Sequence, residues 1–143
     1  MLVYILKFFS KLLFIESPPL FSVAALIEKG GKLLFLNLSY QKGLGLPGGI
    51  VQEGETLEET LKREVLEETG LKVTKSKYFS SVIGSYKGIP TASVVFLADT
   101  LGKLKSSEEG ELVWMRPKDA IGKLFYKDSA TAVVEKYIAF RQG

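Results

Sequence analysis

The chain has 143 residues, 46% of them hydrophobic and 24% charged, enough for one domain that buries roughly 70% of its unfolded surface. It contains no cysteine and no histidine, which excludes disulfides, thiolate metal sites, thiol nucleophiles, Ser-His-Asp triads and imidazole ligands. Any catalysis must use carboxylates, lysine, tyrosine, backbone dipoles or an oxygen-bound hard cation such as Mg²⁺ or Mn²⁺.

Residues 1–15, MLVYILKFFSKLLFI, are mostly apolar. Lys7 and Lys11 interrupt them, and the run is shorter than the ~20 residues of a membrane span. At about 100° per residue Lys7, Ser10 and Lys11 share one polar stripe, which predicts an amphipathic N-terminal helix. Its apolar face is expected to pack on the domain, the alternative being a membrane surface or a dimer interface. No signal-peptide pattern is present, and a cytoplasmic location is expected. Pro18 and Pro19 end the segment. Two apolar runs, 21–28 and 33–38, flank Lys29-Gly30-Gly31-Lys32 and read as a β-hairpin. A glycine-rich loop follows at 43–49, GLGLPGG. After a helix at 57–69, strands are expected at 77–83, 92–98 and 111–115, a short helix at 117–124, and a last helix at about 129–140. There are no repeats and no linker, so the expectation is one α+β domain over 1–143 with a mixed sheet.

The net charge of +3 is the sum of two unlike parts. Residues 49–71 hold seven glutamates against Lys62 and Arg63, a net of −5, which leaves +8 on the rest of the chain. An acidic site on a basic body suits a metal bound together with an anionic substrate. The plain alternative is one solvated acidic helix. Thr56 and Glu59 have the spacing of a capping box, and Gly70 is a natural helix stop. Leu57, Leu61 and Val65 form the apolar stripe of this helix; Glu68 falls inside it and Glu64 beside it. Pairs at i,i+4 (Glu58–Lys62, Glu59–Arg63, Arg63–Glu67) account for the outer face but leave Glu64 and Glu68 without an intrahelical basic partner. Carboxylates on an apolar face need a counter-charge, and a hard divalent cation supplies one.

The segment GGIVQEGETLEETLKREVLEETGL, residues 48–71, resembles the signature box of the Nudix hydrolases, G-x5-E-x7-R-E-U-x-E-E-x-G-U with U aliphatic. Every fixed position matches: Gly49, Glu55, Arg63, Glu64, Val65, Glu67, Glu68, Gly70 and Leu71. A chance match in this length is on the order of 10⁻⁸–10⁻⁷. The resemblance implies an α/β/α sandwich and Mg²⁺-dependent hydrolysis of a nucleoside diphosphate linked to another moiety, with Mn²⁺ a possible substitute. It implies that Glu64, Glu67 and Glu68 and the Gly49 carbonyl hold the metal, that Arg63 braces the glutamates, and that Glu55 stands behind them. Glu64 is the first choice of general base; Glu108, Glu109 and Glu111 are alternatives. Gly48 lets the backbone approach phosphate closely.

Substrate contacts are less defined. Asn37, Tyr40, Tyr86 and Arg116 are the candidates; Lys32, Lys42 and Lys87 can also reach phosphate, and Trp114, Phe125 and Tyr126 can stack on a base. Tyr86 falls where dinucleoside polyphosphate hydrolases of the family tend to carry a tyrosine. Asn37 and Leu44 stand where many members have arginine and tryptophan. The expected partner is a small nucleotide-type substrate. No transmembrane span is expected, and the scattered lysines argue against a stable nucleic-acid partner. The oligomeric expectation is a monomer or homodimer. The second reading is a Nudix-fold module that binds a nucleotide or RNA without cleaving it.

Overall fold

The runs Val23–Ile27 and Leu33–Leu36 contain almost no polar side chain, and a sheet with one wet face has no place for them. In the computed structural model, which describes residues 1–5, 8, 19–38, 42–86, 88–105 and 110–143, both lie in strands covered on two sides. Strand β1 (Leu20–Leu26) and the two-residue β2 (Glu28–Lys29) precede β3 (Lys32–Leu38). Short strands β4 (Leu44–Gly45) and β5 (Gly48–Ile50) lead into helix α1 (Leu57–Thr69). The long strands β6 (Lys72–Tyr86) and β7 (Ile89–Leu101) follow, then β8 (Gly110–Met115), α2 (Pro117–Ala120) and α3 (Ser129–Gln142).

One sheet has the order β5-β1-β7-β6 and is mixed: β1 runs parallel to β7, and the other pairs are antiparallel. The second is centred on β3, which pairs antiparallel with β8 along its length and with β2 and β4 towards its ends. Alternation along the strands then builds two cores. Val23, Ala25, Leu34, Phe96 and Ala98 pack with Leu61 and Val65 of α1. Leu26, Leu33, Phe35, Phe79 and Val95 pack with Val133, Val134 and Tyr137 of α3. The result is an α/β/α sandwich with a mixed sheet.

Several elements differ from what the local pattern suggests. The hairpin of 21–28 with 33–38 survives only where β2 meets the start of β3, extended by the Leu34 N–H to Ile27 O bond of 3.0 Å. β1 itself leaves for the other sheet, because its alternate side chains feed both cores and its parallel partner β7 is distant in sequence. The glycine-rich stretch 43–49 is not a free loop; most of it is pinned as β4 against β3 and β5 against β1. Strands β6 and β7 each extend past their apolar centres, since hairpin pairing carries the ladder through polar residues, with irregularities at Val73/Lys75 and Tyr78/Ser80. The helix expected at 117–124 stops at Ala120; Ile121 is extended, and Leu124 bridges to Leu44 instead.

The N-terminal helix expected at 1–15 lies outside the described residues except for 1–5 and 8. Residues 2–5 form one helical turn, with Ile5 N–H bonded to Met1 O at 3.1 Å. The side chains of residues 1–5 are exposed; the rest of the expected helix, with the face expected to pack on the domain, lies outside the described residues apart from residue 8. Among the described residues no helix is long and apolar enough to cross a membrane.

Helix α1 starts and stops where its sequence says. The Thr56 side chain accepts the Glu59 N–H at 3.1 Å, and Gly70 adopts φ of 78° while its N–H closes on Leu66 O at 2.9 Å. Leu61 is fully buried on its inner face, whereas Leu66 is 54% exposed. Leu61→Ala is therefore expected to cost about 2–5 kcal/mol in urea unfolding, and Leu66→Ala to stay within about 0.5 kcal/mol. Equal losses in the two variants would show that the faces are assigned wrongly.

Candidate active site

Two glycines of β5 form the floor of the site. A Cβ on Gly48 would sit 2.0 Å from Val23 O of the adjacent strand, so only glycine permits the β1–β5 pairing there. A Cβ on Gly49 would lie 2.4 Å from Cδ of Glu64. The Glu64 carboxyl group thus rests directly over the backbone of Gly49, in space that any other residue would fill. Glu68, one turn further along α1, is 7% exposed and accepts the Gly48 N–H at 3.0 Å through Oε1. Helix and strand are clasped here by carboxylates.

Arg63 organises the rest. Its Nε donates to Glu55 Oε2 at 2.7 Å and its Nη2 to Glu55 Oε1 at 2.9 Å, a two-pronged pair. Nη1 reaches Glu64 Oε1 at 2.7 Å and Glu67 Oε2 at 3.4 Å, and Nη2 also approaches the Ile50 carbonyl at 3.3 Å. Glu55 accepts two further bonds, from the Gln52 N–H at 2.9 Å and the Thr60 hydroxyl at 3.2 Å. The Arg63 hydrogen bonds, opposed by partial desolvation and aided by those from Gln52 and Thr60, hold the Glu55 carboxyl down at about 2 against an ordinary 4.5. The same carboxylates raise the Arg63 guanidinium, which stays charged throughout.

These contacts correct the i,i+4 picture of the helix. Glu64 does have an intrahelical basic partner, the adjacent Arg63, while neither Glu59–Arg63 nor Glu58–Lys62 forms an ion pair among the described residues. The reason is that residues 50–55 fold back over α1 and offer the guanidinium a bidentate carboxylate. A single exposed contact with Glu59 cannot compete with that. Sequence periodicity is blind to a partner that arrives from a loop; Gln52, Thr60 and the Ile50 carbonyl were missed for the same cause. Also unforeseen is the hydroxyl pair Ser22–Ser93, side by side on β1 and β7, with Ser22 next to Ile50 of β5. Its only sequence signal is a polar residue inside each of two apolar strands.

The remaining candidates are spread more widely. Glu67 is 59% exposed at its side chain. Asn37 and Glu111 lie opposite one another on β3 and β8, in the sheet that does not contain β5. Arg116 is engaged by Asp119 at 2.7 Å next to α2. Tyr86 stands at the tip of the β6–β7 hairpin, paired with Ile89. Lys32 and Lys42 are exposed, and Phe125 and Tyr126 contact each other edge to face at 4.9 Å. Tyr40, Lys87, Glu108 and Glu109 lie outside the described residues.

Among the described residues, no three acidic side chains converge as a ready-made metal cage. Over Gly48-Gly49 stand two carboxylates, Glu64 and Glu68, while the more exposed Glu67 shares Arg63 with Glu64. The cradle at Gly49 and the all-oxygen donor set fit a hard divalent cation, and nothing there suits a soft one.

A family model described as the NUDIX domain matches residues 18–136. The chain belongs to the Nudix family. Among curated relatives, it is 31% identical over 132 residues to the "ADP-ribose pyrophosphatase" of Methanocaldococcus jannaschii, covering 87% of this chain and 76% of that protein. It is 35% identical to the "CTP pyrophosphohydrolase" of Escherichia coli K12, covering 69% of this chain and 77% of that one. Similarity to the "NAD-capped RNA hydrolase NudC" of Pasteurella multocida, at 36%, spans only 29% of that longer protein. The MutT protein of Methanosarcina mazei Go1 superposes with a TM-score of 0.78 over 90% of this chain and 99% of that one, at 26% identity. As a Nudix hydrolase the chain is an enzyme of pyrophosphate bonds.

Two outcomes test this geometry. Because Glu55 is held ionised well below its ordinary range, its pairing stabilises the fold fully above pH ~4.5 and loses effect as pH falls towards ~2. Glu55→Gln is expected to lower the unfolding midpoint at pH 7, with the gap to the parent closing between pH ~4.5 and ~2; a gap independent of pH would remove Arg63 as the cause. Gly49→Ala is expected to keep the fold by circular dichroism while displacing Glu64 and lowering activity, whereas Gly48→Ala lowers the melting temperature through its backbone clash.

Proposed function

We propose that the chain is a divalent-metal-dependent Nudix pyrophosphohydrolase that cleaves a nucleoside diphosphate linked to another moiety, of the ADP-ribose, nucleoside triphosphate or dinucleoside polyphosphate type. The observation that carries this reading is the seating of the Glu64 carboxyl on the Gly49 backbone, with Glu68 tied to Gly48 beside it. In this reading Glu64, Glu67, Glu68 and the Gly49 carbonyl hold Mg²⁺ or Mn²⁺. The chemistry such a cation supplies is neutralisation of phosphate charge and acidification of bound water.

Each residue of the chain then has a distinct task. Glycine at 48 admits β5 beside Val23, and glycine at 49 leaves room for the Glu64 carboxyl. The space freed by each missing Cβ is taken by the protein itself and not by a phosphate. Glu64 takes the proton of the attacking water, since no histidine is available and Glu55 has both oxygens committed to Arg63, Gln52 and Thr60. Arg63 is a positioning residue: it fixes Glu64 relative to β5 and offsets the repulsion among carboxylates one turn apart. The pyrophosphatase and pyrophosphohydrolase names of the curated relatives support the bond type. They differ in substrate, and that choice resides in pocket shape and loops.

The experiment is a panel of ADP-ribose, CTP and other nucleoside triphosphates, deoxynucleotides and dinucleoside polyphosphates, assayed with Mg²⁺ and with Mn²⁺ and with products identified. Glu64→Gln and Glu68→Gln should each reduce turnover on the order of 100-fold or more while the melting transition is retained. Full activity in both variants would sink the assignment. Nucleotide binding without turnover of any compound would favour the non-catalytic module.

A further inference from the structure

A cavity of about 610 Å³ opens beside the C-terminal end of β1, the second half of β7 and the last turns of α3. None of the glutamates of α1 lines it. Its size falls in the range of small-molecule sites, about 300–1,000 Å³. Tyr137 is its most informative wall. The residue is 4% exposed, its ring packs edge-on against Phe79 at 6.2 Å, and its hydroxyl makes no hydrogen bond among the described residues. Buried phenols normally find a partner, and Tyr137 lines the empty space. Burial, and next the negative charge of Glu28, push its pKa up, so it remains a donor at neutral pH.

The charges around the cavity are unevenly engaged. Glu28 already accepts the Gly31 N–H at 3.1 Å and approaches Arg141 at 3.5 Å. Lys29 and Lys103 form no ion pair among the described residues. Asp99 is the other acidic group of the lining, and Trp114 and Phe140 contribute aromatic surface. Unpaired cations, two aromatic rings and an unsatisfied phenol form a site for a ligand that is anionic at one end and flat at the other. Tyr137, Glu28 and Arg141 also line an adjoining cavity of about 370 Å³, so there is room beyond the ion pair.

We propose that this cavity binds a small phosphorylated molecule carrying a flat ring, of the size of a nucleoside monophosphate. Its phosphate meets Lys29, Lys103 and Arg141, its ring lies against Trp114 and Phe140, and the Tyr137 hydroxyl donates to one of its oxygens. The site is separate from the glutamates of α1 and does not depend on the hydrolytic reading.

Trp114 is the sole tryptophan of the chain, so its fluorescence reports occupancy directly. The full chain is titrated without added metal with AMP, adenosine and inorganic phosphate, exciting at the red edge where AMP does not absorb. AMP is expected to give a saturable change with Kd of about 1 mM or below, and adenosine and phosphate to bind at least about tenfold more weakly. The exposed double change Lys103→Ala/Arg141→Ala should weaken AMP by about tenfold or more with an unaltered melting transition. Tyr137→Phe, which keeps the ring, should also weaken it, and Glu68→Gln should leave it unchanged. No saturable change up to about 10 mM AMP would overturn the proposal. So would adenosine or phosphate binding as tightly as AMP, or AMP binding that is lost in Glu68→Gln and kept in the double variant.

Discussion

The Arg63–Glu55 pair ties together helix α1, the loop before it and the end of β5. Four glutamates lie within reach of one guanidinium or of the two glycines beneath it, and in water such a cluster would push itself apart. A planar cation with a fork of donors binds Glu55 with two bonds and still has a third nitrogen for Glu64 and Glu67. The same group touches the Ile50 carbonyl, so helix, loop and strand are held at one point. A lysine carries equal charge but a single point of contact, and it could not span these partners. The placement of Glu64 over Gly49 follows from this arrangement.

That arrangement needs a platform that does not move, and the two cores supply it. The second half of β1 and the centre of β7 send alternate side chains into both cores, so sliding either by one residue would exchange their contributions to the α1 and α3 cores. β5 hangs on β1 by three residue pairs, and it is admitted there only because Gly48 lacks a side chain. Helix α1 presses Leu61 and Val65 onto the platform from the opposite direction, which brings Glu64 and Glu68 down onto β5. The polar site is thus a by-product of apolar registration on either side of it.

The uneven charge takes on a spatial meaning in the fold. Within the −5 segment Glu55, Glu64 and Glu67 share Arg63, and Glu64 and Glu68 lie against β5. At the far end of β1 basic side chains, aromatic surface and a buried phenol line one open cavity. Net charge reveals none of this, because it sums groups that never share a neighbourhood.

Local chemistry was written openly in the chain. The Thr56 cap, the Gly70 stop, the Leu57–Leu61–Val65 stripe and the inward position of Glu68 all depend on residues within a turn or two of each other, and spacing alone determines them. The Nudix box could be read for the same reason, being the end of one strand, a loop and a helix in succession. The partner of Arg63, the parallel pairing of β1 with β7, the strand character of the glycine-rich stretch and the cavity around Tyr137 could not. Each arises from groups far apart along the chain, or from a loop returning over a helix. Periodicity records which way a side chain faces; only the closed tertiary structure decides what it meets there.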